Sequence, residues 1–254
     1  MSDFSREWLA LREPADADAR ADDLLIPLRA HLGARELVIR DLGSGTGSMA
    51  RWLSPRLLTP QRWVLTDRDP ELLAHAAVPG AVTELRDLTS LTPEDLADAS
   101  LVTGSALLDL LTEEEVTRLA EICVKARRPA LFVLSVSGKV ELDPPDPLDE
   151  AVTSAFNAHQ RRTVAGRTLL GPDAVSVMAR VFEDLGATVH RCPSPWRLGP
   201  DRPELTTAWL QGWLGAACEQ DEELGEVAGA YLRRRLARPL HAIVHHEDLL
   251  AIPG

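Results

Sequence analysis

Seven residues, Asp41-Leu42-Gly43-Ser44-Gly45-Thr46-Gly47, constrain this chain more than any other segment. Glycines at alternate positions let the backbone take positive φ and leave no side chain in the way of a group approaching the main chain. The apolar run Leu37-Val38-Ile39 comes before them, and Met49, Trp52 and Leu53 follow at helical spacing. The order is strand, glycine loop, helix, and open α/β sheets bind their ligands where such loops lie, at the carboxyl ends of strands.

The alternation continues downstream. Trp63-Val64-Leu65-Thr66 predicts a second strand, and Asp69 to Ala76 a helix with Pro70 in its first turn. Ala81 to Leu85 and Leu101-Val102-Thr103 predict the third and fourth strands. Thr112, with Glu115 three residues on, caps a helix reaching about Ala126, and Ala130 to Ser135 forms the fifth strand. A helix from Asp173 to Leu185, stopped by Gly186, leads to strand Ala187 to Arg191, and Leu240 to Ile252 adds the last strand. The fold class expected is α/β: a doubly wound, mostly parallel seven-stranded sheet with helices on both faces.

Three regions stand outside this rhythm. Residues 4–32 read as helical, with Pro14, Ala15 and Asp16 separating two helices and Gly33 as the stop. Residues 138–171, rich in Pro, Asp and Arg, contain one helix from Leu148 to Arg161. Residues 193–237 hold Trp196 and two helical segments, with Trp209 and Trp213 on one helical face, where such a pair more often fixes helix packing than walls a substrate pocket. The expected organisation is one domain over 1–254: an N-terminal helical cap (1–34), a ligand-binding half (35–137), and helical lid insertions at 138–171 and 193–237.

Composition narrows the partners. The 254 residues carry 27 basic and 39 acidic side chains, a net charge of −12, which repels phosphate backbones and anionic lipid. No nucleic-acid or membrane partner is expected, and nothing indicates the oligomeric state. No apolar run approaches the roughly 20 residues that span a bilayer, and Met1 to Pro14 lacks a signal-like apolar segment. Cys123, Cys192 and Cys218 are too few and scattered for a disulfide framework, so a cytoplasmic location is expected. Neither CxxC nor HExxH spacing occurs, which predicts metal-independent chemistry.

An acidic residue, one spacer and GxGxG resembles motif I of the class I S-adenosylmethionine-dependent methyltransferases, and the resemblance covers about residues 35–137. The dinucleotide fingerprint GxGxxG differs, because Ser48 occupies its last position. S-adenosylmethionine carries an ammonium and a sulfonium and no phosphate, so Asp41 attracts it where a pyrophosphate is repelled. The resemblance implies that Asp41, Gly43, Ser44, Gly45 and Gly47 line this cofactor, and that Asp67, with Arg68 beside it, stands at the ribose hydroxyls. It further implies Asp87 and Leu88 at the adenine, and Ser105 and Ala106 beside the methionine part, in a segment from Thr103 to Asp109 that resembles motif IV.

The activity implied is in-line methyl transfer to a small-molecule acceptor, leaving S-adenosylhomocysteine. Asp109 or His159 is the candidate base if the acceptor must lose a proton. His245 and His246, in the last strand, are further histidines able to titrate near neutral pH. Arg161, Arg162 and Trp196, all in the insertions, are candidate substrate contacts. Arg12, Asp16 and Arg20 form a charged stripe at four-residue spacing, either ion pairs on a solvated helix or a cap whose Arg12 meets a carboxylate. Glu113 to Glu115 suit a helix start, and Asp143-Pro144-Pro145-Asp146 suits a loop. The alternatives are an NAD-dependent oxidoreductase, a non-catalytic S-adenosylmethionine-binding module, and an enzyme of this fold that uses the cofactor without moving its methyl group.

Overall fold

A computed structural model describes residues 5–57 and 60–254. Residue 4, where the first helix is expected to begin, lies outside the described residues. Five parallel strands build the centre: β1 (Leu37–Leu42), β2 (Gln61–Asp67), β3 (Val82–Leu85), β4 (Leu101–Ser105) and β5 (Ala130–Asp143). Strands β6 (Thr163–Val164) and β7 (Arg167–Thr168) form a separate small hairpin. Next come β8 (Thr188–Pro193), β9 (Trp196–Leu198) and β10 (His241–Ile252). The sheet runs β3-β2-β1-β4-β5-β10-β8, with β10 antiparallel to both neighbours and β9 paired to β10 as an eighth strand. Strand β4 is buried through Gly104 and β2 from Trp63 onward, as expected of strands covered on both faces.

One face of the sheet carries α5 (Glu113–Lys125) and α7 (Ala174–Asp184), which bury Val116, Ala120, Met178 and Phe182 against Val102 and Phe132. Thr112 and Glu115 close the capping box read from the sequence, and Glu115 also accepts from Arg167 at 2.6 Å. The opposite face is covered by α1 (Arg6–Ala19), α2 (Leu25–Leu32), α3 (Ser48–Leu53) and the tip of α4 (Pro70–Ala74).

Two boundaries differ from expectation. Pro14 does not separate two helices: it sits inside α1, and the chain turns at Arg20 instead. The break falls there because Arg20 leaves helical geometry (φ −56°, ψ 134°) and the next N–H, that of Ala21, is taken by the Asp248 carboxylate at 2.8 Å. Strand β5 also does not stop at Ser135. Eight more residues, with burial alternating from Val136 to Asp143, pair with the first half of β10 and carry the ladder past the end of the parallel strands. On this arm rest α6 (Asp149–Gln160), α8 (Pro203–Gln220) and α9 (Glu222–Leu236), which pack Val152, Leu210, Trp213 and Tyr231 with Ala242 and Val244. Trp209 and Trp213 stack at 5.4 Å within this packing. No helix among the described residues is long and apolar enough to cross a membrane.

The junction of arm and sheet is held by Asp248. Its side chain is wholly buried and accepts from Ala21 N (2.8 Å), Leu134 N (2.7 Å) and Ser194 Oγ (2.5 Å). Leu134 has the left-handed φ of +58°, a conformation that costs energy in a branched residue and is held here by that hydrogen bond. Asp248→Ala strands three donors in the interior and is expected to lower the unfolding free energy by about 3 kcal/mol or more in urea titrations. Asp248→Asn, which keeps one acceptor, is expected to lose less.

Candidate functional site at the carboxyl edge of the sheet

The glycine loop joins β1 to α3 with all three glycines in the left-handed region: φ is +60° at Gly43, +53° at Gly45 and +85° at Gly47. Any other residue would be strained there, and a Cβ on Gly43 or Gly47 would also stand 2.9 Å from Leu107 or 2.6 Å from Val78. The loop is tied inward. Ser44 N donates to Thr66 O at 3.0 Å, Gly47 N to Ser44 O at 2.8 Å, and Gly45 N to Asp67 Oδ2 at 2.7 Å. The other oxygen of Asp67 accepts from Asp69 N at 2.9 Å.

Asp41 is the most constrained group of the site. It is wholly buried, and Oδ1 accepts from Thr103 Oγ1 at 2.8 Å while Oδ2 has no partner. Burial pushes its carboxyl up to about 7; the Thr103 hydrogen bond and the Arg20 charge oppose this, and Asp67 adds to it. The Ser44 and Thr66 hydroxyls nearby are likewise buried and unpartnered.

Helix α1 lies over this loop. Leu9 Cδ1 stands 3.3 Å from where a Gly45 Cβ would be, and Glu13 grips Arg51 of α3 through both carboxylate oxygens, at 2.7 and 2.6 Å. Arg12, Asp16 and Arg20 are therefore not a solvated stripe. Asp16 and Arg20 are buried, because the face of α1 that carries them is pressed between glycine loop and arm. Asp16 accepts from Arg12 Nε at 3.0 Å and from the indole N–H of Trp196 at 3.0 Å. The Arg12 guanidinium also lies 4.9 Å over the Trp196 ring, which faces Trp8 (6.3 Å) and His246 (5.3 Å). Arg20 reaches inward to Ser48 Oγ (3.2 Å) and Ser105 Oγ (3.0 Å).

Past β4, Ala106 takes φ +50° and donates to Val133 O at 2.9 Å. The turn that follows holds Asp109, half-buried, whose carboxyl is raised by burial against the pull of Arg12. Asp87 caps the short turn Leu88–Ser90, and its hydrogen bonds from Thr89 hold its carboxyl below the usual range. Leu88 is half-buried against the cluster containing α5. Arg68 is exposed, and its charge adds to the lowering at Asp87.

The first-insertion candidates have partners inside the helical cluster. His159 Nε2 meets Glu219 of α8 at 3.0 Å, Arg162 bonds the His159 carbonyl at 3.1 Å, and Arg161 is held by Asp173 at 2.5 and 2.8 Å. His246, buried beside Trp196, is pushed down to about 3, mainly by burial and further by Arg12, so it is neutral near pH 7 and does not titrate there. His245 pairs with Glu141 on the arm at 2.9 Å. Sequence reasoning missed Asp248, which carries no motif, the hydrogen bond from Thr103 to Asp41, and the inward turn of Arg20. A signal for the last existed: Asp16 and Arg20 share a helical face with Leu9 and Arg12.

A groove of about 650 Å³ also exists, lined by Leu24, Ile26, Pro27, Val189, Arg191 and Cys192, but it runs between α2 and edge strand β8 rather than beside the glycine loop. Asp41 has a pH signature of its own. A carboxyl raised in the folded state contributes stability that is complete below its unfolded value near 4 and is lost as pH rises through about 7. Thermal unfolding of Asp41→Asn against wild type is expected to show a difference in favour of the variant that grows from pH 5 to pH 8.

No family model matches the sequence, and no curated protein matches it. Solved structures do match in three dimensions. The YcgJ protein of Bacillus subtilis superposes with a TM-score of 0.54 at 15% identity, over 91% of this chain and 97% of that one. A SAM-dependent methyltransferase from Geobacter sulfurreducens, in complex with S-adenosyl-L-homocysteine, gives 0.51 at 13% identity over 100% of both chains. The cyclopropane synthase MmaA2 from Mycobacterium tuberculosis gives 0.51 at 14%, over 98% and 95%. With its strand order and antiparallel β10, the chain has the Rossmann-like fold of the class I S-adenosylmethionine-dependent methyltransferases.

Proposed function

We propose that this chain binds S-adenosylmethionine and transfers its methyl group to a small-molecule acceptor. One observation carries the reading: Asp41 is wholly buried beside three left-handed glycines, with one carboxylate oxygen lacking any donor. A buried unpaired acceptor is costly. An ammonium at that oxygen removes the cost and returns the carboxyl to its ionised form. A pyrophosphate adds like charge instead, which disfavours NAD.

When bound, the cofactor supplies an electrophilic methyl group on a sulfonium. The chain's own residues then have mainly to bind, orient and exclude water. Asp67 keeps lone pairs beyond those used by Gly45 and Asp69, enough to accept ribose hydroxyls. Asp87 and Leu88 would meet the adenine, with Arg68 beside them, and Ser44, Ser105 and Ala106 the amino-acid part. Asp109, whose carboxyl burial raises above the usual range, is the candidate to take a proton from a hydroxyl or acidic carbon. Trp8, Arg12 and Trp196 wall the acceptor side. A small acceptor suits a site covered by α1 and the arm, and the net charge of −12 opposes a polynucleotide. His159 and Arg161 are held by Glu219 and Asp173, and Arg162 by the His159 carbonyl, and no role in the reaction is assigned to them.

Calorimetry tests the reading. S-adenosylhomocysteine is expected to bind and NAD not to. Asp41→Ala and Asp67→Ala are each expected to weaken binding by about 1–3 kcal/mol. Tight NAD binding without a response to S-adenosylmethionine, or unchanged affinity in both variants, overturns it. Incubation with methyl-labelled S-adenosylmethionine is expected to put label into an ultrafiltered metabolite fraction, and label confined to RNA or protein refutes the small acceptor.

A further inference from the structure

Helix α9 turns one face to the core and leaves the other uncovered. Leu224, Tyr231 and Arg235 are buried, whereas Glu222, Glu226, Gly229, Ala230, Arg233 and Leu236, which share the opposite face at helical spacing, are all exposed, Leu236 by 41%. Charge on this helix is segregated. Its acids, Glu222, Glu223 and Glu226, fill the first turns and its arginines the last, so no acid has a base three or four residues further on, the spacing at which side chains of one helix pair. Glu226 and Arg233 stand about 10 Å apart along the axis, too far to meet. Among the described residues Glu222, Glu226 and Arg233 make no ion pair, while Arg234 and Arg235 are bound by Asp146 and Asp149. The helix macrodipole favours acids first and bases last, but it does not account for what lies between them. Gly225 and Gly229 sit inside the helix, where glycine is disfavoured. A Cβ on Gly225 would meet nothing within 4 Å, and one on Gly229 only the Arg233 guanidinium at 3.5 Å, so packing within the chain does not require either position to be empty.

A second α9 laid antiparallel across this face uses all of these features. A two-fold axis passing between Gly229 and Ala230 sets Glu226 of each copy opposite Arg233 of the other, because the two residues lie equally far from that axis along the helix. A parallel pair would set acid on acid and base on base. Glycine and alanine at the crossing let the two backbones approach to about 8 Å, near the lower limit for packed helices. We propose that the outer face of α9 is the contact surface for a second copy of this chain, in a two-fold dimer held by reciprocal Glu226–Arg233 ion pairs about a Gly229–Ala230 crossing. One helix pair lies at the small end of interface sizes, so the association is weak and reversible. None of these residues belongs to the glycine loop or its cover, and the dimer stands independently of the cofactor reading.

Sedimentation velocity of the full chain at about 0.15 M salt tests this. Wild type is expected to pass reversibly from monomer to dimer between about 1 and 200 μM, the range of a small interface. Arg233→Glu and Glu226→Arg each set like charges across the axis, and each is expected to weaken association about 10-fold or more. Mixed in equal amounts, the two variants are expected to form a heterodimer, and both exchanges made on one chain to restore the homodimer, a rescue that a purely local role for either residue does not predict. Gly229→Leu, which fills open space and favours the helix, is expected to stay folded by circular dichroism and to remain monomeric. A wild type that is monomeric throughout the range overturns the proposal and leaves this face to solvent or to a different protein. A dimer that survives both charge reversals and Gly229→Leu overturns it as well and places the contact elsewhere.

Discussion

Asp41 is kept out of water where β1 runs into the glycine loop, and much of the surrounding structure can be understood from what that requires. An isolated buried carboxylate costs several kcal/mol, so it must be neutral, paired or near a cation. Here all three apply in part. Its carboxyl is raised to about 7, one oxygen is paired to Thr103, and Arg20 lies near enough to oppose the rise. Each arrangement draws on a different element: Thr103 comes from the neighbouring strand, Arg20 from the end of α1, and dryness from α1 lying over the loop. Opening α1 would expose Arg20 and Asp41 together, so closure and charge at this edge are coupled.

The same coupling extends to the arm. The turn that aims Arg20 inward is fixed by the Asp248 carboxylate on Ala21 N–H, and that carboxylate also holds the left-handed Leu134 and the Ser194 hydroxyl. One side chain therefore sets where α1 ends, where β5 bends and how the chain leaves β8. Above it, the Trp196 indole on β9 donates to Asp16, so the arm touches α1 a second time, one helical turn before Arg20.

Legibility in the sequence followed locality. The β1, glycine loop and α3 unit and the Thr112 capping box rest on contacts between near neighbours in the chain, and pattern reading found them together with the succession of strands along the sequence. The arm was missed although Ser137, Lys139, Glu141 and Asp143 alternate as a half-buried strand would, because the segment runs into Pro144-Pro145 and its partner strand lies about a hundred residues away. Pro14 misled because helical propensity is a weak prior that tertiary packing overrides. Here the packing of Arg12 and Asp16 on Trp196 continues the helix past it. Histidines and arginines in the insertions looked functional by composition, while their ion-pair partners, Glu219 and Asp173, could be named only in three dimensions.

The acceptor side has a consequence for mechanism under the proposed function. Its charges largely cancel: Arg12 is neutralised by Asp16, and His246 is held neutral by burial and by Arg12 itself. A wall built this way exerts little net field on the reacting centre, so it is poorly suited to stabilising a large developing charge. Methyl transfer from a sulfonium needs little of that kind, since positive charge on the donor is dispersed as the bond breaks rather than created. What such a reaction gains from is a dry enclosure that fixes donor and acceptor in line. Aromatic walls from Trp8 and Trp196, the latter fixed by a buried hydrogen bond to Asp16, meet that requirement, and Asp109 leaves one group in the neighbourhood able to exchange a proton.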